Sequence, residues 1–169
     1  MSDNMPRPKE WMPPSEWQKL VDGTVCPNCR ALASDAANTY DFYVARLPLS
    51  TVRLSRNQRA PGYALVYCAR HVIEPHELSP EERREFFEDV VAVGQALHAI
   101  YRPLKLNFQI LGNAVPHLHC HIIPRYHSDA APNGPPGPIF EMPSVELAPQ
   151  EYEQVIARLR EGLNWRIVV

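Results

Sequence analysis

A chain of 169 residues and 19.2 kDa is long enough for one well-buried core and too short for two independent domains. Its apolar fraction of 45% and charged fraction of 21% exclude wholesale disorder and a coiled coil. With 17 Lys and Arg against 19 Asp and Glu, a net charge of -2 and a pI near 6.4, no basic field exists to hold nucleic acid non-specifically, so any anionic ligand must be gripped locally. The start MSDNMPRPKEW has no apolar signal region and no run approaches the roughly 18 apolar residues that span a bilayer. A cytoplasmic protein without a membrane or nucleic-acid partner is therefore expected. In that compartment the four cysteines stay reduced, so Cys26-Pro27-Asn28-Cys29 is read as metal or redox chemistry before a disulfide.

In chain order, residues 1–20 combine Pro6, Pro8, Pro13 and Pro14 with Trp11 and Trp17, which predicts an extended arm docked through its tryptophans. Alternation over 40–47 and 51–56, and the β-rich run 62–68 after Pro61-Gly62, predict three strands. Ser79-Pro80-Glu81-Glu82 is a helix start, with Ser79 as N-cap and Glu82 closing a capping box; Phe86, Val90, Val93, Leu97 and Tyr101 follow at helical spacing up to Pro103. Two further strands, 105–111 and 117–123, flank the turn-like Gly112-Asn113-Ala114-Val115-Pro116 and should pair antiparallel. Residues 128–143 carry PNGPPGP and read as a loop, and a last helix over 149–163 presents Tyr152, Val155, Ile156 and Leu159. Strands around one long helix without βαβ alternation predict an α+β fold with an antiparallel sheet of about five strands. The organisation expected is an arm (1–20), a core (21–127), and a loop with a C-terminal helix (128–169) completing the same domain.

The informative segment is His117-Leu118-His119-Cys120-His121-Ile122-Ile123. On a strand the three histidines point one way and Leu118, Cys120 and Ile122 the other, toward the core. Packing does not explain three imidazoles on one face. In one reading two of them share a metal, but His117 and His121 stand roughly 13 Å apart along a strand, too far for all three to chelate one ion. In the other, His119 is a nucleophile: a neutral imidazole attacks phosphorus through one nitrogen while a backbone carbonyl holds the proton on the other. Water then hydrolyses the nucleotidyl-histidine, and His121 donates to the phosphoryl oxygens.

The pattern HLHCHII resembles the signature of the histidine triad (HIT) superfamily of nucleotide hydrolases and transferases. The resemblance runs from about Cys26 to Tyr126, through Gly62-Tyr63-Ala64-Leu65-Val66, Arg70-His71, the helix entry at Glu77–Glu81 and Pro124-Arg125. It implies that His119 is the nucleophile, that His121 contacts the α-phosphate and that His117 completes the triad. It also implies a phosphate or ribose contact from Asn107, backbone donors around Gly112 and Asn113, and a ribose-binding position near Ser55, with Asn57 close by. Many phosphoramidase members carry a serine five residues before the nucleophile; here that position is Ala114. The segment NFQILGNAVPHLHCHIIPRY is more similar to the bacterial and archaeal members described as dinucleoside polyphosphate hydrolases. That class is the activity the resemblance implies, with phosphoramidase or nucleotidyl transferase as alternatives and a homodimer as the assembly.

By spacing alone Cys26 and Cys29 are half of a tetrahedral zinc site. The thioredoxin-like context that a redox pair needs is missing. The same resemblance, to one HIT branch and to galactose-1-phosphate uridylyltransferases, implies His71 and His117 as the other ligands of a structural Zn2+ that would pin the strand bearing His119. Cys68 and Cys120 read as buried thiols, and His76, His98 and His127 as surface or cap residues. Arg125 is balanced between a polyphosphate contact and a surface ion pair, and the run Glu81–Asp89 reads as the wet face of its helix. Two other classes stay open: a metallohydrolase using His117 and His119, and a nucleotide binder without turnover.

Overall fold

The computed structural model describes residues 11–129, 131, 133–137 and 141–168. Five strands, β1 (Asp41–Arg46), β2 (Ser50–Ser55), β3 (Ala64–Cys68), β4 (Lys105–Gln109) and β5 (His119–Arg125), form one antiparallel sheet in the order β1-β2-β3-β5-β4. Helices α1 (Pro14–Val21) and α2 (Pro27–Leu32) precede the sheet, α3 (Pro80–Tyr101) separates β3 from β4, and α4 (Pro149–Leu163) follows β5. The architecture is α+β, as the order of elements predicts. Where the proline content predicts an extended arm, Pro14–Val21 is helical, because Pro14 stands at a first-turn position that needs no amide proton. Trp11 meets Trp17 edge-on at 5.5 Å. The loop expected over 128–143 and the first half of the arm fall partly or wholly outside the described residues.

The sheet has two unlike faces because side chains alternate. Val52, Leu54, Ala64, Val66, Cys68, Cys120 and Ile122 point into a core closed by Phe86, Val90, Val93 and Leu97 of α3 and Tyr152, Leu159 and Leu163 of α4. Burying each large apolar side chain contributes about 1.5–3 kcal/mol, so this face holds the fold together. Helix α3 starts as predicted, with the Ser79 side chain accepting from the Glu82 amide and Glu82 accepting from the Ser79 amide. It ends where Arg102 turns left-handed (φ 47) before Pro103. Asp89 departs from the expected wet face. It is fully buried, accepts from Ser50 Oγ at 2.7 Å and the Leu49 amide at 3.0 Å, and pairs with Arg166 at 2.7 Å, tying α3 to the β1–β2 turn and the C-terminal segment.

The opposite face carries Arg53 and Ser55 from β2, Leu65 and Tyr67 from β3, and His119 and His121 from β5. The register sets Tyr67 opposite His119 and Leu65 opposite His121. Strand β2 is buried along its whole length, and on this second face its Arg53 lies against the carbonyls of Ala31, Ser34 and Ala36 in the segment before β1.

Candidate active site and metal group

The strand bearing the histidines begins at His119, not His117, and that offset divides the triad. Ahead of β5 the Leu118 amide donates to Val72 O and the Leu118 carbonyl accepts from the Cys68 amide. This turns the His117 ring away from the face shared by His119 and His121. His117 joins Cys26, Cys29 and His71 in a group whose ligand atoms all lie within 4.8 Å of one another.

That group suits a tetrahedral ion. Cys29 Sγ lies 3.2 Å from His71 Nδ1 and 3.5 Å from His117 Nδ1, Cys26 Sγ lies 3.6 Å from His117 Nδ1, and the two Nδ1 atoms are 3.2 Å apart. Ligands on bonds of about 2.0–2.3 Å in a tetrahedron are spaced by roughly these distances. The ring protons are already directed elsewhere: His71 Nε2 meets Val21 O at 2.9 Å and His117 Nε2 meets Cys68 O at 2.8 Å, which leaves both Nδ1 lone pairs free for a cation. Burial holds His117 down to about 4, so it is neutral and able to ligate. Burial and the neighbouring Cys26 push the Cys29 thiol up to about 11, so a cation is needed to make it a thiolate. These four residues could bind a metal ion. Helix α2 makes the pair possible: Pro27 starts it one residue after Cys26, and one turn brings Cys29 back beside it, its amide donating to Cys26 Sγ at 3.5 Å.

His119 and His121 face a cleft of about 830 Å³ on the polar side of the sheet, within the range of small-molecule sites. His119 Nδ1 lies 2.6 Å from the His117 carbonyl. A carbonyl only accepts, so Nδ1 carries the proton and Nε2 presents a lone pair to the cleft. His121 Nε2 lies 3.0 Å from His119 Nε2, and Tyr63 Oη lies 2.7 Å from His121 Nδ1. Burial lowers both imidazoles below their ordinary value, His121 to about 4. Both are therefore neutral at pH 7.

Beneath His119 lies a buried ion pair. Tyr67 stacks on the His119 ring, centroids 5.5 Å apart, and its hydroxyl donates to Asp41 at 3.0 Å. Asp41 in turn pairs with Arg53, which is fully buried and donates to the carbonyls of Ala31, Ser34 and Ala36. Arg53 thus fastens the end of α2 to the sheet under His119. Pro27, Asn28, Arg30 and Ala31 of the same α2 wall the cleft, so the helix that carries the cysteines also shapes the ligand site.

Of the residues singled out from sequence, His119, His121, Ser55, Asn57, Gly112, Asn113 and Ala114 line the cleft. Gly112 takes φ +79, which turns the chain so that residues 111–115 border it. Ser55 Oγ is engaged by the Asn57 amide at 3.2 Å. Asn107 is not among the cleft residues; its side-chain oxygen accepts from Arg125 at 2.6 Å. Arg125 is itself buried, pairing with Asp129 and bonding the carbonyls of Ala131 and Gly134, so it organises the turn after β5 and lies off the cleft. Cys68 and Cys120 are buried thiols that burial pushes up, and His76, His98 and His127 are exposed. Sequence reasoning missed Tyr63, Tyr67, Asp41 and Arg53. Only the phase of β3 hints at the tyrosines: they alternate with Ala64, Val66 and Cys68, which face the core.

The strand register thus sets two neutral histidines over a cleft, beside four residues that could bind a metal ion, an arrangement that fits the histidine triad class. The HIT domain model matches residues 36–128, more than half of the chain; the chain belongs to the HIT domain family. It is 33% identical over 97 residues to the asymmetrical bis(5'-nucleosyl)-tetraphosphatase of Schizosaccharomyces pombe, covering 54% of this chain and 52% of that one. It therefore spans about half the length of that relative. The adenosine 5'-monophosphoramidase hnt1 of the same organism is 32% identical over 109 residues, 64% of this chain and 77% of the relative. A solved histidine triad protein from Bradyrhizobium japonicum superposes with a TM-score of 0.67 at 30% identity, covering 72% of this chain and 90% of that one.

Proposed function

We propose that the chain is a nucleotide hydrolase that cleaves a phosphoanhydride, with a dinucleoside polyphosphate as substrate, through a nucleotidyl adduct on His119. The observation that carries this reading is the unprotonated Nε2 of His119 at the cleft, set by the His117 carbonyl that holds the Nδ1 proton at 2.6 Å; at rest its lone pair accepts from His121 Nε2 at 3.0 Å. In the first step Nε2 bonds to the α-phosphorus, and the P–O bond to the nucleoside polyphosphate breaks with its electron pair leaving on oxygen. The His121 Nε2 proton is offered where negative charge grows on the phosphoryl oxygens. In the second step a water oxygen bonds to phosphorus and the P–N bond breaks. The nucleoside monophosphate leaves, the water's protons pass to solvent, and His119 is again neutral. The tetraphosphatase relative supports the substrate class, and the size of the cleft accommodates more than a single phosphate group.

Cys26, Cys29, His71 and His117 are read as a structural Zn2+ site. When bound, zinc would supply a cross-link between α2, the segment after β3 and the residue that orients His119. Four protein ligands leave no open coordination position, which keeps the chemistry on the imidazoles. A thiolate-bound ion suits a reducing, cytoplasmic setting. Phe87 and Val91, one turn apart on α3, and Phe108 on edge strand β4 are exposed at 40%, 47% and 48%, which supports pairing of two copies through these elements.

The phosphoramidase relative favours a second reading, hydrolysis of a nucleoside phosphoramidate. Against it stands Ala114, which lines the cleft with no hydroxyl to offer a leaving group. Hydrolysis of diadenosine tetraphosphate and adenosine 5'-phosphoramidate, measured side by side with wild type and His119→Ala, tests the assignment. The expected result is faster turnover of the polyphosphate, lost in the variant. Turnover that survives His119→Ala, or none with either compound, contradicts it.

A further inference from the structure

We infer that Tyr63 is a positioning residue whose hydroxyl donates to Nδ1 of His121 and so fixes His121 in the tautomer that carries its proton on Nε2. The inference rests on the reading of His119 as nucleophile and His121 as donor. It follows from three contacts taken in order. The His117 carbonyl, 2.6 Å from His119 Nδ1, can only accept, so His119 Nε2 is bare. His121 Nε2 stands 3.0 Å from that bare nitrogen; two lone pairs at this distance repel, so the His121 nitrogen must bear hydrogen. A neutral imidazole has one ring proton, so His121 Nδ1 is an acceptor, and the group facing it at 2.7 Å is the Tyr63 hydroxyl. Burial pushes the phenol well above its ordinary value, which keeps that hydroxyl a donor.

The tyrosine is held in place for this contact. Buried Gln58 donates to the carbonyls of Ser55 and Tyr63, at 2.7 and 3.1 Å, and accepts from the Gly62 amide at 2.7 Å, closing the turn that presents Tyr63. Gly62 takes φ +87 with the Tyr101 ring so near that a Cβ would stand 2.7 Å from it, so neither the turn nor its direction tolerates a side chain. The Tyr63 ring lies nearly parallel to His121, interplanar angle 23°. Without the hydroxyl, His121 is free to carry its proton on Nδ1, where it cannot reach the phosphoryl group.

The test is 15N NMR of histidine-labelled, metal-loaded protein, paired with steady-state hydrolysis of diadenosine tetraphosphate by wild type and Tyr63→Phe. In wild type, His121 should be protonated on Nε2 and bare on Nδ1. In Tyr63→Phe, which keeps the ring, the two tautomers should mix, kcat should fall about tenfold or more, and KM should stay within about twofold. Wild-type His121 protonated on Nδ1, or a variant with unchanged tautomer and kcat within twofold, overturns the inference. Should wild type hydrolyse no nucleotide, the functional reading fails by itself, and the wild-type tautomer still decides the role of Tyr63, as it does if the variant does not fold.

Discussion

His117 and His119 are two residues apart on one chain, carry the same ring and stand in regions that use it in opposite senses. At the metal group, backbone carbonyls hold the Nε2 protons of His71 and His117 and leave Nδ1 free. In the cleft, a backbone carbonyl holds the Nδ1 proton of His119 and leaves Nε2 unprotonated. Which nitrogen is tied decides which one is left unprotonated: Nδ1 toward the cysteines, Nε2 toward the cleft. The two regions share parts: the His117 carbonyl orients His119 while its ring belongs to the metal group, and α2 carries two cysteines on one side and cleft residues on the other.

The sharpest separation of the regions is His119→Ala. It should lower turnover at least about 10⁴-fold while leaving the melting temperature and the metal content unchanged, read by kinetics, calorimetry and elemental analysis. Breaking the other region should do the reverse. Cys29→Ser, or stripping with a strong chelator, should lower stability by several kcal/mol and the melting temperature by roughly 10 °C or more. Activity should persist in whatever fraction remains folded; immediate loss of turnover on chelation without unfolding would instead favour a catalytic metal.

Arg53 joins the two regions. Arg53→Met leaves Asp41 buried without its partner and should cost about 3–5 kcal/mol in urea unfolding, with a raised KM because the α2 wall of the cleft loosens. The fourth effect depends on pH. His121 is held down to about 4 in the fold against an ordinary 6.5. The unfolded chain therefore takes up this proton first as pH falls. Stability should decline from pH 6.5 and level off below 4, by about 3 kcal/mol, and His121→Ala should remove that component. The smallest effect is expected from Ala114→Ser, which should raise phosphoramidate turnover relative to polyphosphate turnover by up to about tenfold, below the 10²–10⁴ of a fully developed general acid.

Much of this was legible in the chain. The alternation in 117–123, the capping box at Ser79 and the apolar spacing of α3 are local patterns, and local patterns predict their elements to within a residue or two. The offset of β5 was less so. An i, i+2, i+4 pattern puts all three rings on one face, and only the pairing of Leu118 with Val72 and Cys68 turns His117 aside before the strand begins. Arg53, Asp41 and Tyr63 stayed hidden for a related reason. Arg53 reaches carbonyls of residues 31–36, and Tyr63 meets a histidine 58 positions away, so their roles exist only once the strands are in register. Asp89 reads as solvent-facing in a charged run, and only Leu49, Ser50 and Arg166, all far from it along the chain, make its burial tolerable.

The most direct measurement is intact-protein and peptide mass spectrometry of wild type quenched in alkali, which preserves a P–N bond, during turnover of diadenosine tetraphosphate. One adenylyl group on the peptide bearing His119, absent in His119→Ala, is the predicted result. Full turnover with no adduct, or an adduct carried by another histidine, would contradict the account.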